Sequence, residues 1–258
     1  MFRFVCLILM LVMATSLTRA STTVSFDAGA SSVNALRADE TAGVVAAENW
    51  NLLSGSGRGN VDDTYTYTNA FDSFGVETTI DVSISSADEL DWQQNVWHGF
   101  SGSNQRLAQD ITYVNGAGDT FAVEFDEIGF ESYDIYLYTG AGGTSRGGSI
   151  TDGSTTYFVR GFEAGGGTEE FVEGTETESF ANATSADYVV FRGLTGSSQS
   201  FEFEAIDTQI FFSGAQIVGN PGTPPASAAS TSAVPEPSSA LIFSLVGFGL
   251  VTRRRRRK

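Results

Sequence analysis

Nucleophilic, acid–base and metal chemistry each need particular side chains, and this sequence is short of most of them. Its single cysteine is Cys6 and its single histidine is His98. Cys6 lies in an N-terminal segment expected to be removed on export, so a thiolate nucleophile, a disulfide and a histidine metal cluster are outside the mature chain's repertoire. Gly143-Thr144-Ser145-Arg146-Gly147 matches the G-x-S-x-G nucleophile elbow by letter. An elbow needs a helix directly after the serine and a histidine later in the chain. Here Gly147-Gly148 leads toward a strand and His98 comes earlier, so a glycine-rich hairpin loop is the better reading.

Carboxylates are plentiful, and they leave two chemistries open. Calcium is the one cation the composition suits, with Asp62 and Asp63, or Asp88, Glu89 and Asp91, as ligand candidates, although no Asp-x-Asp-x-Asp-Gly loop is present. A carboxylate pair could also hydrolyse a glycan. That reading makes the protein a glycan-active enzyme, but the pair's spacing lies in three dimensions. The reading preferred over it is non-catalytic. Trp92 and Trp97 fall in a polar segment, Asp88 to Asn104, expected to be a loop, where exposed rings could stack on sugars. Trp50 follows the apolar stretch Val44 to Ala47 and is expected in the core.

The elements that would position these residues read as β-strands. Segments rich in Val, Ile, Thr, Phe and Tyr alternate with polar residues between Gly, Asp, Asn and Ser clusters. Roughly ten strands are predicted: Thr22–Phe26, Thr64–Thr68, Val76–Ile84, Thr120–Ile128, Tyr133–Tyr138, Thr155–Arg160, Glu170–Val172, Tyr188–Arg192, Ser200–Ile206 and Ile210–Val218. Gly43 to Trp50 is the one short stretch expected to be helical. In Thr120–Phe125 the residues Phe121, Val123 and Phe125 share a face opposite Ala122 and Glu124. In Ser200–Ala205, Phe201, Phe203 and Ala205 oppose Glu202 and Glu204. One dry and one wet face per strand predicts an all-β fold, an antiparallel two-sheet sandwich, since doubly covered parallel strands would be apolar throughout.

Both ends of the sequence are of another kind. Arg3, the apolar run from Val5 to Leu17 and Thr18-Arg19-Ala20 have the parts of a secretory signal peptide over residues 1–20, with maturation at Ser21. The expected ectodomain is 21–219 and needs no staple, because its size suffices to bury a core. Residues 220–233 carry Pro221, Pro224 and Pro225 among Gly, Ser, Thr and Ala, and read as a linker. Then come Val234-Pro235-Glu236-Pro237, an apolar run from Ala240 to Val251, and the cations Arg253, Arg254, Arg255, Arg256, Arg257 and Lys258. Twelve helical residues span about 18 Å, less than the ~30 Å hydrocarbon core, and the cations would stop transfer with the body outside.

Of the 14 basic residues, eight lie within 1–20 and 234–258, leaving six arginines against 30 acidic residues, a net charge of about −24 for the body. Such a surface excludes nucleic acid and anionic lipid as partners and keeps an exported protein soluble.

The order Val-Pro-Glu-Pro, short apolar helix, arginine-rich end resembles the PEP-CTERM sorting signal of Gram-negative bacteria. The resemblance implies export across the inner membrane, transient anchoring there by a C-terminal membrane helix, and recognition by an exosortase-type enzyme. It also implies a final place at the cell surface or in an exopolysaccharide matrix. Thr41–Trp50, Tyr133–Tyr138 followed by Thr139-Gly140, Tyr188–Gly196 and Gly214–Val218 together resemble uncharacterised ectodomains that precede such tails. Those look like galactose-binding-type jelly rolls, and the resemblance supplies no catalytic residues.

Overall fold

The expected alternation is realised in strand after strand. In this computed structural model, residues 21–28, 35–53, 64–93, 100–139, 143, 145–161 and 170–220 are described. The chain divides into two compact units, Met1–Ala228 and Ala229–Lys258, and every described residue belongs to the first. The expected signal peptide, Pro221 to Ala233 of the linker, the Val234–Pro237 motif, the basic end, Asp62, Asp63, Trp97 and His98 lie outside the described residues.

The described residues contain the strands β1 (Thr23–Asp27), β2 (Asn51–Leu52), β3 (Thr64–Tyr67), β4 (Asp81–Ser85), β5 (Leu90–Gln93), β6 (Ile111–Val114) and β7 (Thr120–Asp126). These are followed by β8 (Tyr133–Tyr138), β9 (Gly147–Thr151), β10 (Thr156–Arg160), β11 (Tyr188–Leu194), β12 (Gln199–Ala205), β13 (Ile210–Phe212) and β14 (Gly214–Gly219). One sheet runs β11-β8-β14-β1-β2, a second β10-β9-β12-β7-β4-β3, and a third, smaller one β13-β6-β5. All pairings between these strands are antiparallel except β1 with β2. The pairing is nested: β9 with β10, β8 with β11, β7 with β12 and β6 with β13, while β1 closes on β14. A long antiparallel ribbon has been folded over on itself.

The core lies where the two large sheets face each other. Val24 and Phe26 of β1, Ile135 and Leu137 of β8, Val189 and Phe191 of β11, and Ala215 and Ile217 of β14 meet Val82, Ile84, Phe121, Val123, Phe125, Phe201 and Phe203 of the other sheet. Aromatic rings join the layers, Phe26 with Phe125 at 5.8 Å and Phe191 with Phe201 at 4.7 Å between centroids. Each buried Phe contributes about 1.5–3 kcal/mol by leaving water.

Several expected boundaries are corrected. The expected strand Val76–Ile84 begins only at Asp81 and runs to Ser85, because the Asp72 carboxylate accepts the N–H groups of Phe74 and Val76 and Gly75 takes a left-handed φ of +74°. These bonds make 72–76 a turn. Glu170–Val172 is not a strand; the neighbouring Glu173 makes a lone bridge with Tyr188. Ile210–Val218 breaks at Ser213, whose N–H donates to Tyr138 O and whose carbonyl accepts from Ala28, so its halves serve different sheets. The expected helix at Gly43–Trp50 is instead a turn closed by reciprocal Ala42 and Ala47 backbone bonds. A helix, α1, forms at Gly102–Gln109, with Leu107 and Ala108 buried. Its opening Gly-Ser-Asn has weak helix propensity, and packing of Leu107 makes up for it.

The two large sheets differ on their outer faces. The outer face of the five-stranded sheet is covered by a second apolar layer in which Leu36, Ala42, Trp50 and Leu107 pack with Tyr138, Tyr188 and Val190. Gln216 is fully buried beneath it and accepts from Val45 N–H and the Tyr138 hydroxyl. Its amide donates to Ser25 Oγ and Val45 O. Burial raises the Tyr138 hydroxyl far above the usual phenol range. Among the described residues no such layer lies over the outer face of the six-stranded sheet, where Ser83, Ala122, Glu124, Ser200, Glu202 and Glu204 are all partly or fully exposed.

Candidate functional site: the open sheet face

β3, β4, β7 and β12 place their outward residues side by side. Thr64 pairs with Ser85, Ser85 with Ala122, and Ala122 with Glu202. Where the strands meet the turn after β4, a shallow groove of about 380 Å³ is lined by Thr64, Ser85, Ser86, Ala87, Thr120, Ala122 and Glu202, with Phe121 at its floor. The wall is pinned. Ser86 donates its hydroxyl to Thr120 O at 2.6 Å, Asp88 Oδ2 accepts from Thr120 N–H at 2.8 Å, and Asp88 N–H donates to Ser86 Oγ at 3.0 Å. Hydroxyls that donate and accept, beside an accepting carboxylate, can hold a polyhydroxylated ligand.

The same face is acidic. Asp81 of β4 stands directly opposite Asp126 of β7, and Glu124, Glu202 and Glu204 share the surface. Contacts from Ser149 to Glu204 and from Ser200 to Glu124 are long, 3.5 and 3.4 Å, so these carboxylates are weakly held and open to solvent.

The other expected residues fall elsewhere. Trp92 is corrected: it lies on β5 rather than in an exposed loop, is 4% exposed, and packs edge-on to Tyr65 with centroids 5.0 Å apart. Its indole N–H has no acceptor among the described residues. The alternation Leu90, Trp92 against Asp91, Gln93 carries the ring inward, so it offers no face to a sugar. Trp50 is in the core as expected and donates its Nε1–H to Ala47 O at 2.9 Å. Ser145 is followed by β9 from Gly147 and not by a helix, but the hairpin-loop expectation is corrected: the segment joins β8 and β9, which lie in different sheets, and is a crossover. Asp88, Glu89 and Asp91 do not converge: the Asp88 carboxylate is engaged by Thr120. Among the described residues no group of three or more His, Cys, Asp or Glu side chains is arranged to hold a metal.

The structure does bring two carboxylates into electrostatic contact, Asp27 at the end of β1 and Asp110 before β6. Both are 1% exposed. Asp27 Oδ2 accepts from Leu36 N–H, Oδ1 has no partner among the described residues, and burial, with Asp110 adding to it, pushes its carboxyl up to about 8. Asp187 is similarly raised to about 7 by burial, against the lowering effect of the Val172 N–H. A pair so enclosed can reach a glycosidic bond only if the body opens. Sequence reasoning did not single out Thr64, Ser85, Ser86, Thr120 and Glu202. The signal was there in part, as the polar half of the alternation in β7 and β12.

A family profile, the PEP-CTERM protein-sorting motif, matches residues 233–257. No curated protein matches the chain. Among solved structures, the crystal structure of exo-beta-1,3-galactanase from Phanerochaete chrysosporium with beta-1,3-galactotriose is similar over 64% of this chain and 52% of that one, at 11% identity and a TM-score of 0.28. The chain thus spans about half the length of that enzyme, and a likeness of this degree carries no argument about activity. The sorting motif implies export, processing by an exosortase, which is a membrane enzyme, and a surface or extracellular destination. With its Val-Pro-Glu-Pro signature, apolar run and basic end inside the matched residues, the chain carries a PEP-CTERM protein-sorting motif at its C-terminal end.

Proposed function

We propose that the exported body is a non-catalytic surface or matrix protein that binds a neutral glycan, such as an exopolysaccharide, on the open face of its six-stranded sheet. The observation that carries this reading is the pinned groove of hydroxyls and Glu202, left uncovered by the described residues while the opposite outer face is sealed. The surrounding carboxylates repel uronic acids and sulfated sugars, so a neutral chain is favoured. The nested strand pairs support a jelly-roll body of the galactose-binding kind, a fold that serves many functions and names none by itself.

The test is retention of the exported, purified protein on a glycan array, with and without calcium. Neutral glycans should be retained, and Glu202→Gln should weaken retention about five- to tenfold, equivalent to a lost charge-assisted hydrogen bond of about 1–1.5 kcal/mol. No retention under either condition overturns the binding reading. Slow cleavage of a retained glycan would establish the enzyme instead.

A further inference from the structure

The buried carboxylates of Asp27 and Asp110 play no part in the open-face groove. Asp27 ends β1 on the side of the sheet that carries Ser25, and its cross-strand partner is Gly214. A side chain at Gly214 is excluded by α1, since a Cβ there would come within 2.9 Å of Leu107 Cδ1. Leu107 thus seats the last turn of α1 over the end of β1. Asp110, the residue that ends the helix, arrives near enough for its charge to act on Asp27.

The enclosure collects oxygen atoms. Asp27 Oδ2 accepts Leu36 N–H at 3.0 Å, but Oδ1 of the same carboxylate has no hydrogen-bond partner among the described residues. Thr112 Oγ1 is fully buried and likewise without a partner there. The backbone at Asp110 is extended, with φ −105° and ψ 129°, so Thr112, two residues on, projects to the same side. The carbonyls of the last turn of α1 open toward Asp110 and carry the negative end of the helix dipole. Arg106, the basic residue of that turn, is held by Glu40 at 3.2 Å and does not act on Asp27. Two like charges taken out of water, one with an idle oxygen, are costly unless a positive charge joins them.

We propose that Asp27 and Asp110 hold a calcium ion, with Thr112 Oγ1 and the terminal carbonyls of α1 completing its oxygen shell. Carboxylate, hydroxyl and carbonyl oxygens without a nitrogen or sulfur ligand suit a hard cation. Calcium accepts such a mixed, irregular shell, whereas magnesium keeps several waters that an enclosure with both carboxylates 1% exposed does not admit. The ion staples α1 and the backbone at Leu36 to the end of β1, fixing the layer that seals the five-stranded sheet. It is distinct from Asp62 and Asp63 and from the stretch Asp88 to Asp91, and it does not depend on the glycan reading.

The test uses the exported, purified protein, stripped with chelator and titrated with calcium chloride at pH 8, where the proton that burial otherwise keeps on Asp27 is readily given up. Equilibrium dialysis should find one tightly bound calcium per chain, and saturating calcium should raise the melting temperature by about 5–10 °C. Asp27→Asn should weaken binding about tenfold or more and remove most of that rise. Asp126→Asn, an exposed acid on the open face, should change neither. No tight calcium and no rise in the parent overturn the proposal, leaving the pair to share a proton or a water. A rise of the same size in Asp27→Asn places the ion elsewhere, and an equal loss in Asp126→Asn assigns the effect to surface charge; either overturns the site. In calcium-free buffer Asp27→Asn relieves the like-charge contact, so its circular dichroism should match the parent's. A variant unfolded there also overturns the site, because the carboxylate then serves only the backbone at Leu36.

Discussion

The two large sheets share one core but treat their outer faces differently. Outside the five-stranded sheet the chain lays Leu36, Ala42, Trp50 and Leu107 over Tyr138 and Tyr188, and hides polar groups such as Gln216, Ser25 and Asp27 beneath them. Outside the six-stranded sheet it leaves Ser, Thr, Asp and Glu in water. Polar groups on the first face must find protein partners or lose free energy, whereas those on the second are satisfied by solvent. The first face is therefore a structural seam, and the second, as far as the described residues go, is open to solvent.

The largest expected break comes from the sealed face. Gln216→Leu removes the partner of Tyr138 Oη, of Ser25 Oγ and of both Val45 backbone groups at once, and should lower stability by about 3–5 kcal/mol. Urea unfolding followed by circular dichroism would measure it. A loss below about 1 kcal/mol would mean that the seam is not a locked network.

A second, smaller effect is a pH dependence that originates on the sealed face. Asp27 and Asp187 have folded-state values of about 8 and 7, above the ordinary 3.8. The folded protein then binds more protons than the unfolded chain between these limits. Their contribution is full below about pH 4 and is lost as the pH rises through 7 and 8. Stability should fall between pH 5 and pH 8, and Asp27→Asn should flatten much of that slope, a difference of a few kcal/mol at pH 8. An unchanged slope in that variant would assign the dependence to general charge repulsion across the acidic surface.

The smallest effect belongs to the open face. Asp81 and Asp126 are like charges directly opposed across β4 and β7, but solvent screens them. Asp126→Asn should stabilise the protein by only about 0.5 kcal/mol, and 0.5 M salt should erase the gain. A much larger gain would show that this face is less open to water than its exposure suggests.

Much of the fold was legible because strand alternation is local. Phe121, Val123 and Phe125 against Ala122 and Glu124 announce an inward and an outward face, and the same pattern in Ser200–Ala205 brought Glu202 to the surface where the structure has it. Tyr133–Tyr138 was exact for the same reason. β9 was missed as a strand because it begins with Gly147-Gly148. The glycine is demanded by a neighbour distant in sequence, since a Cβ on Gly148 would sit 1.9 Å from Glu204 O. Trp92 was placed wrongly because its segment is polar, and only the pairing of β5 with β6 and the ring of Tyr65 bury it.

The sequence by itself determined the sorting motif, the all-β class and the acidic, disulfide-free character of the body, because each is written in residue types or short-range order. Tertiary structure alone decided which strands pair, which outer face is sealed and which is open, and that Asp27 and Asp110 come together beneath the sealed one. Those facts depend on contacts between residues far apart in sequence, such as Thr23 with Val218 in β1 and β14. Such contacts form only when the folded ribbon closes, and no local pattern specifies them.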